Sequence, residues 1–442
     1  MGEVQMSDWS LKDLEKWDEK ICEIARSHGL DWFPIVYETC DYYEMIGHMS
    51  YHGMPSHYNH WSYGKSFERT HQMYNLGMEG LPYELIINSN PSISYLMREN
   101  PFYLQILIMA HCVGHSDFFK NNRTFELTNP ENIVSSLRNA KKRIQSYIED
   151  PSIGIEDVER VIDAAHTLQF QTYRYPKKYV SNKKKKEELK IFLKSQSEAG
   201  KKVDFSVLDN TPLKPEYDIL GFLLEHAENL EEWERDILEI VKLESNYFLP
   251  QIKTKIMNEG WASYWHYTIL HELDLPQKFH IPFLKSHNQV IRPHIGAINP
   301  YHLGFEMFQK IKERQGIEEC FLAREVHHDE SFIRQYLTEE DCRDLNLFSY
   351  AQFNDKIKIT EVSDVEGWKI VRKDLIKRTG TNSIPVVYVD SVDIGNVLVL
   401  HHEHDGRDLE IDHAEKVVDH ISVLWKNPVK LLTIIEDEPF EI

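Results

Sequence analysis

One long apolar stretch constrains the fold of this chain more than any other feature. The stretch "PFYLQILIMAHCVGHSDFFKN", residues 101–121, opens with a proline and contains almost no charge. Proline is favoured at the start of a helix, and a helix that is apolar on all sides has to be buried. The sequence therefore predicts a helical body built around this segment. Within it, His111 and His115 stand four residues apart and share one face of the helix.

The rest of the chain predicts an α+β fold. Apolar residues at helical spacing predict further helices, and Ser7 or Ser10 can cap the first of them; these helices lie at about 11–24, 132–149, 154–172, 216–245 and 249–273. Near residue 350 the pattern changes to short β-branched stretches bounded by turns, with helices between them. The Asp-Gly pair in "EHDGRD" (403–408) predicts a hairpin turn.

We predict two domains from this change. The first is a large, mainly helical core over residues 1–345, and the second is a small α/β domain over residues 346–442. A lysine-rich connection lies in the core near residues 176–205. A run of like charges is typical of a solvated, mobile connection, and the alternative is a docking arm for an acidic partner.

Composition narrows the classes of function. The formal net charge of -21 argues against a general nucleic-acid binder or membrane-surface protein. The five cysteines are scattered, and none forms a CxxC motif, which is typical of a reduced intracellular protein. No secretion signal precedes the first helix, and no apolar run is long enough to span a bilayer. We expect a cytoplasmic protein without membrane insertion, whose partners are proteins, small molecules or cations.

The histidine pair has the spacing of the zinc-peptidase pattern H-E-x-x-H, but Cys112 stands where that pattern has glutamate. With 23 histidines in the chain, about 1.2 pairs at this spacing are expected by chance, so the spacing alone is weak evidence. The setting strengthens it, because buried neutral imidazoles need partners for their nitrogens and a metal supplies one. The alternative is a pair of core histidines that are satisfied by other groups.

Glu259 is the third ligand that we predict, on the later helix that carries "NEGWASYWH". Two histidines and one glutamate leave zinc an open coordination position, as catalytic sites require. Small residues beside Glu259 would permit a close approach of helices. The arrangement is similar in outline to the glutamate-zincin peptidases, although 144 residues separate His115 from Glu259, more than is usual there. Cys112 is a poor replacement for the missing base, so Asp117, Glu225 and His266 are the candidate catalytic bases.

Two further groups are candidates for substrate binding. The first group lies in a histidine-rich segment: His60 is followed by Trp61 and Lys65, and a lysine can bind a carboxylate or phosphate. The second group follows the long apolar helix and consists of Lys120, Asn121 and Asn122. Amides after a helix are equally suited to capping it or to orienting ligands.

Seven segments, taken in order, resemble the SpoVR family, the relatives of stage V sporulation protein R; they are "WFPIVYET", "GMPSHYNHWSYGKSFE", "YELIINSNPS", "AHCVGHSDFFKNN", "PQIKTKIMNEGWASYWHYTI", "NPYHLGFEMFQ" and "SFIRQYLT". The resemblance implies a cytosolic bacterial protein, tied in spore formers to assembly of the spore cortex, a modified peptidoglycan layer. It also implies partners, namely a PrkA-type serine kinase and a protein with a von Willebrand-like domain. It does not transfer a biochemical activity or catalytic residues.

Three hypotheses about function follow. The first is a zinc-dependent hydrolase of amides or peptides, with the metal held by His111, His115 and Glu259. The second is a non-enzymatic regulator or scaffold in a kinase-linked complex. The third is a binder of peptidoglycan precursors that uses Trp61, Lys65 and the amide-rich loops.

Overall fold

The computed structural model describes residues 9–75, 84–173, 182–209, 211–294, 297–353 and 356–442. Seventeen α-helices dominate these residues, and nine short strands form three small sheets. The predicted α+β class is therefore confirmed.

The helices of the described residues are α1 (Leu11–Ser27), α2 (Tyr42–Ser50), α3 (Trp61–Asn75), α4 (Phe102–Asn121), α5 (Ile133–Glu149), α6 (Ile155–Leu168), α7 (Asn182–Glu198), α8 (Ile219–His226), α9 (Glu232–Lys253), α10 (Lys255–Glu272), α11 (Gln277–Val290), α12 (Pro300–Gln315), α13 (Ile317–Val326), α14 (Asp329–Tyr336), α15 (Glu339–Asp344), α16 (Trp368–Lys377) and α17 (Ile411–Trp425). The strands are β1 (Ile35–Cys40), β2 (Glu84–Ile87), β3 (Ser92–Met97), β4 (Phe348–Phe353), β5 (Lys356–Val362), β6 (Val387–Asp393), β7 (Val397–His402), β8 (Val429–Ile435) and β9 (Glu438–Glu441).

The chain forms two compact units, each built from two segments. The first unit contains residues 1–142 and 247–383, and the second contains residues 143–246 and 384–442. Hairpin β4–β5 and helix α16 belong to the first unit. The domain boundary at residues 345/346, which we inferred from composition, stays a prediction from the sequence alone.

Helix α4 lies at the centre of the first unit, as its apolar sequence predicted. Pro101 precedes it directly, and nearly every residue from Leu104 to Phe119 is buried. Its main neighbour is α10, and a three-stranded sheet of order β1-β3-β2 packs beside it. In this sheet β1 and β3 are parallel, while β2 and β3 are antiparallel.

Small residues bring α4, α10 and α12 unusually close together. A Cβ atom added to Gly114 would lie 2.7 Å from the Cα atom of Ala262, so α4 and α10 touch at their backbones. A Cβ atom added to Gly260 would lie 2.3 Å from the carbonyl carbon of Gly304, so α10 and α12 do the same. The close approach expected from the small residues beside Glu259 is thus present.

Two helix starts show how the sequence sets the ends of these elements. Ser10, one of the two predicted caps, caps α1 and forms a reciprocal capping box with Asp13. The other predicted cap, Ser7, lies outside the described residues. The N-cap residue of α10, Thr254, gives the helix no side-chain hydrogen bond. The carboxylate of Asp329 caps α10 instead, because it accepts hydrogen bonds from the backbone N–H groups of Ile256 at 2.8 Å and Met257 at 2.9 Å.

Replacing Asp329 by alanine is expected to lower the free energy of unfolding by about 2 kcal/mol or more, because two buried N–H groups lose their acceptor. Asp329→Asn keeps one acceptor oxygen and should lose less. Urea unfolding curves measure both effects. Asp412→Ala removes an exposed carboxylate from the first turn of α17 and should change stability by less than about 0.5 kcal/mol. Equal stability of Asp329→Ala and wild type would contradict this role.

The second unit is organised around the sheet β6-β7-β8-β9. Strands β7 and β8 are parallel, and α17 forms the crossover between them and packs on β8 and α6. The predicted hairpin at 403–408 is therefore wrong, since these residues lead from β7 into α17. The lysine-rich connection contains a helix that the sequence analysis did not predict, α7, over Asn182–Glu198. Residues 176–181 of that connection lie outside the described residues.

Across the described ranges, every helix is too short or too polar to cross a lipid bilayer.

Candidate metal centre

His111, His115 and Glu259 converge in the first unit, where α4 packs against α10. Their ligand atoms all lie within 4.8 Å of one another. The Nε2 atoms of His111 and His115 lie 3.8 and 3.4 Å from the same oxygen, Oε2 of Glu259. These separations are too long for good hydrogen bonds. In a tetrahedral zinc site, metal–ligand bonds of about 2.0–2.1 Å place two ligands roughly 3.3–3.5 Å apart. The separation from His115 fits such a site, and the separation from His111 is slightly longer.

The other ring nitrogen of each histidine is engaged elsewhere. His115 Nδ1 lies 2.9 Å from Oδ1 of Asn258, and because an amide oxygen only accepts, the histidine donates. His115 in its neutral form then keeps the lone pair on Nε2, the atom that faces Glu259. His111 Nδ1 forms a 2.8 Å hydrogen bond with Nδ1 of His266. Such partners orient the imidazoles of metal-binding histidines and fix their tautomers.

Glu259 brings a negative charge into an almost closed space. The side chains of His111, His115 and Glu259 are 2%, 6% and 17% exposed. Burial alone would raise the pKa of Glu259, but the facing imidazoles of His111 and His115 outweigh it and hold that pKa well below its usual value. Among the described residues, Oε2 of Glu259 has no hydrogen-bond donor. A buried carboxylate oxygen of this kind fits a cation as its partner.

A line of three imidazoles extends from the cluster. His111 bonds to His266, and Nε2 of His266 lies 2.8 Å from Nδ1 of His287 on α11. Burial lowers the pKa of His266 well below its usual value and that of His287 to about 4, so both rings are neutral at pH 7. The hydrogen bonds to His111 and His287 use both ring nitrogens of His266. This arrangement suits a residue that positions His111 better than the catalytic base predicted from the sequence.

The other two candidate bases have different surroundings. Asp117 accepts hydrogen bonds from the backbone of Asp31 and from Nε1 of Trp261, both at 2.8 Å, and Arg324 lies 3.7 Å away. Burial raises the pKa of Asp117 to about 6, against the opposing effect of Arg324. Both oxygens are thus engaged in linking α4 to its neighbours. Glu225 lies on α8 in the second unit and is not part of the cluster.

Cys112 occupies the position that glutamate has in H-E-x-x-H, and its contacts do not support a catalytic role. It is fully buried, and its sulfur lies 3.2 Å from Oγ of Ser94 on β3. Cys112 therefore packs between α4 and the sheet, as expected for a small apolar side chain.

The residues predicted to bind substrate after α4 make contacts within the protein. Lys120 forms an ion pair with Asp31, and Asn121 donates to the backbone carbonyls of Asp31 and Asp117. Asn122 donates to the carbonyls of Arg324 and His327 and caps the following turn. These contacts favour the capping and tethering role over ligand binding.

The residues of the histidine-rich segment lie at the start of α3. His60 Nδ1 shares a 2.7 Å hydrogen bond with Ser62, and the ammonium group of Lys65 lies 5.5 Å from the ring centre of Trp61. Trp61 is half exposed. These three residues are not among the side chains that converge at the candidate metal centre.

Sequence reasoning missed three residues that support the centre, namely Asn258, His287 and Asp329. Asn258 directly precedes Glu259, and that adjacency was the one local signal. His287 and Asp329 act from other helices, so only the tertiary structure shows their roles.

The fold and this cluster define an α+β protein whose helical body contains a buried histidine–carboxylate centre. More particularly, the chain belongs to the SpoVR family. The family model described as "SpoVR like protein" matches residues 8–384, and the one described as "SpoVR-like C-terminal domain" matches residues 383–436. The resemblance noted in the sequence is thereby confirmed.

A curated relative matches along almost its whole length. The chain is 33% identical over 484 residues to the "Uncharacterized protein YcgB" of Escherichia coli (strain K12), covering 98% of this chain and 94% of that protein. No solved structure matches the chain, so the outline similarity to zincins stays a prediction.

Proposed function

We propose that this SpoVR-family protein is a zinc-dependent hydrolase that acts on an amide or peptide bond in the cytoplasm. The observation that carries the proposal is the convergence of two Nε2 atoms on one buried carboxylate oxygen. In a spore-forming source, the substrate would be a precursor or regulator of cortex peptidoglycan.

The donor set matches the chemistry proposed. His111, His115 and Glu259 would hold the metal, and two imidazoles with one carboxylate are a common catalytic zinc set that leaves a fourth position open. Zinc in such a set polarises a carbonyl and lowers the pKa of bound water. The chain's own contribution is orientation: Asn258 and His266 hold the Nδ1 atoms, so that both Nε2 atoms are directed to the same point.

Elemental analysis of the purified protein tests the metal directly. We expect close to one zinc per chain in wild type and a loss of nearly all of it in His111→Ala and in His115→Ala, because two remaining ligands bind zinc weakly. His271→Ala is the matched control, since His271 is an exposed histidine on α10 whose Nδ1 atom contacts the carbonyl of Tyr267.

Circular dichroism should show that the variants keep their helical content. A folded wild type that contains no metal and takes up neither zinc nor another divalent transition metal would refute the proposal. Metal retained at full stoichiometry in both variants would place the site elsewhere. If zinc is present, hydrolysis of muropeptides and of model peptides is the activity to measure next.

A second candidate function is a regulator or scaffold in a complex with a PrkA-type kinase and a von Willebrand-like domain protein. Family membership supports it, and the contacts that occupy Asp117 and His266 favour it, because they leave neither residue as a ready base. Under this function, His111, His115 and Glu259 could be replaced by residues of similar size without loss of the cellular role.

A further inference from the structure

A line of three buried imidazoles connects the candidate metal centre to helix α11. Nδ1 of His111 lies 2.8 Å from Nδ1 of His266, and Nε2 of His266 lies 2.8 Å from Nδ1 of His287. Each of the three residues is at most 2% exposed. The rings of Tyr267 and Phe305 pack against His287, with ring centres 4.8 and 5.0 Å away. The far end of the line is therefore held by packing as well as by hydrogen bonding.

The hydrogen bonds of this line can run in two directions. A neutral imidazole carries one N–H donor and one acceptor nitrogen. Burial lowers the pKa of His266 and of His287, so both rings are neutral at pH 7. Because His266 uses both nitrogens in the line, it donates in one bond and accepts in the other. The N–H groups therefore point either from His111 towards His287 or from His287 towards His111.

One of these directions is compatible with a metal at Nε2 of His111. A ligating imidazole offers the lone pair of that nitrogen, so the proton of His111 has to be on Nδ1, which donates to Nδ1 of His266. The proton of His266 is then on Nε2, which donates to Nδ1 of His287. The opposite direction puts a proton on Nε2 of His111, where it faces Glu259 and occupies the metal position.

We propose that His287 is a positioning residue of the metal centre, although it is two imidazoles away from the metal position. It accepts the hydrogen bond of His266 and thereby fixes the tautomers that direct the lone pair of His111 to the metal. This inference rests on the proposed function. Without an acceptor at residue 287, the Nε2–H group of His266 would be buried and unsatisfied, which is costly. The opposite direction would then be favoured, and the affinity for metal would fall.

The first test compares the zinc affinities of wild type, His287→Leu and His287→Asn, measured by competition with a fluorescent chelator. Leucine fills much of the volume of the ring but removes the acceptor, whereas the amide oxygen of asparagine can still accept. We expect His287→Leu to lower zinc affinity by about tenfold or more, as is usual for residues that orient metal ligands. His287→Asn should recover most of that loss. His280→Leu is the matched control, because His280 is an exposed histidine on the same helix.

The second test locates the protons by nitrogen NMR spectroscopy of the zinc-loaded full chain with isotopically labelled histidines. We expect the proton of His111 on Nδ1 and the protons of His266 and His287 on Nε2, a pattern that a merely structural role for His287 does not require. A proton on Nδ1 of His287, or equal zinc affinity in wild type and His287→Leu, would overturn the inference and leave the proposed function standing. A wild type that takes up no metal would overturn both.

Discussion

Glu259→Gln is expected to remove most of the stabilisation that zinc gives to the folded protein. A ligand that binds only the native state, present at about a thousand times its dissociation constant, adds about 4 kcal/mol to the free energy of unfolding. Glutamine keeps the size of the side chain but replaces the one negatively charged ligand of the set by a neutral amide. Zinc affinity should therefore fall by about a hundredfold or more, which corresponds to a loss of about 2.7 kcal/mol of that stabilisation.

The measurement is a pair of urea unfolding curves for each protein, one with excess zinc and one with a chelator. Comparing the two curves within one variant separates metal binding from any effect of the substitution on the metal-free fold. Glu272→Gln is the control, since Glu272 is an exposed glutamate near the end of α10 that pairs with His28 at 2.7 Å. An equal response to zinc in Glu259→Gln and wild type would show that this carboxylate does not hold the metal.

Gly304→Ala is expected to cost about 3 kcal/mol of folding stability, the upper part of the range for overpacked cores. The new Cβ atom would lie 2.1 Å from the carbonyl oxygen of Ile256 and 2.7 Å from the Cα atom of Gly260. These are backbone atoms of α10, so no side chain can rotate to make room. The two helices would have to separate, and Glu259 would move with α10.

Gly64→Ala provides the contrast. Gly64 lies within α3, and an added Cβ atom there would meet nothing within 4 Å. Alanine should therefore stabilise the protein by up to about 1 kcal/mol, through its higher helix propensity. Thermal unfolding of the two variants beside wild type measures both effects. If Gly304→Ala unfolds at the wild-type temperature, α10 and α12 are not in the close contact described.

Sequence predicted the elements whose signals are local. The apolar run at 101–121 predicted α4 to within one residue. A helix that is buried on all sides is apolar along its whole length, and this pattern can be read from the sequence alone. Ser7 and Ser10 were the two candidate caps of α1, because a serine side chain can accept from a free N–H group at a helix start, and Ser10 is the N-cap residue. Glu259 was chosen as the partner of His111 and His115 from ligand chemistry and small neighbours, and the structure brings the three together. The metal itself stays a prediction.

Other structural features depend on contacts between distant segments, which a local sequence pattern does not indicate. The chain does bend at the Asp-Gly pair, residues 405–406, where Gly406 has a φ of 92°. It does not form a hairpin, because the next strand is parallel to β7 and parallel strands need a crossover. The amides of Asn121 and Asn122 bond to backbone carbonyls from distant segments, which sequence alone did not distinguish from ligand binding.

The backbone contact between α4, α10 and α12 also sets an order of events during synthesis. The ribosome completes α4 at residue 121 and α12 only at residue 315. At about 5–20 residues per second, the intervening chain of about 200 residues takes roughly 10 to 40 s to make. Until α10 is complete at residue 272, the long apolar helix α4 lacks its main neighbour, and α10 in turn lacks α12 until residue 315. Nascent chains of this protein should therefore depend on a chaperone that holds α4 until α12 has emerged.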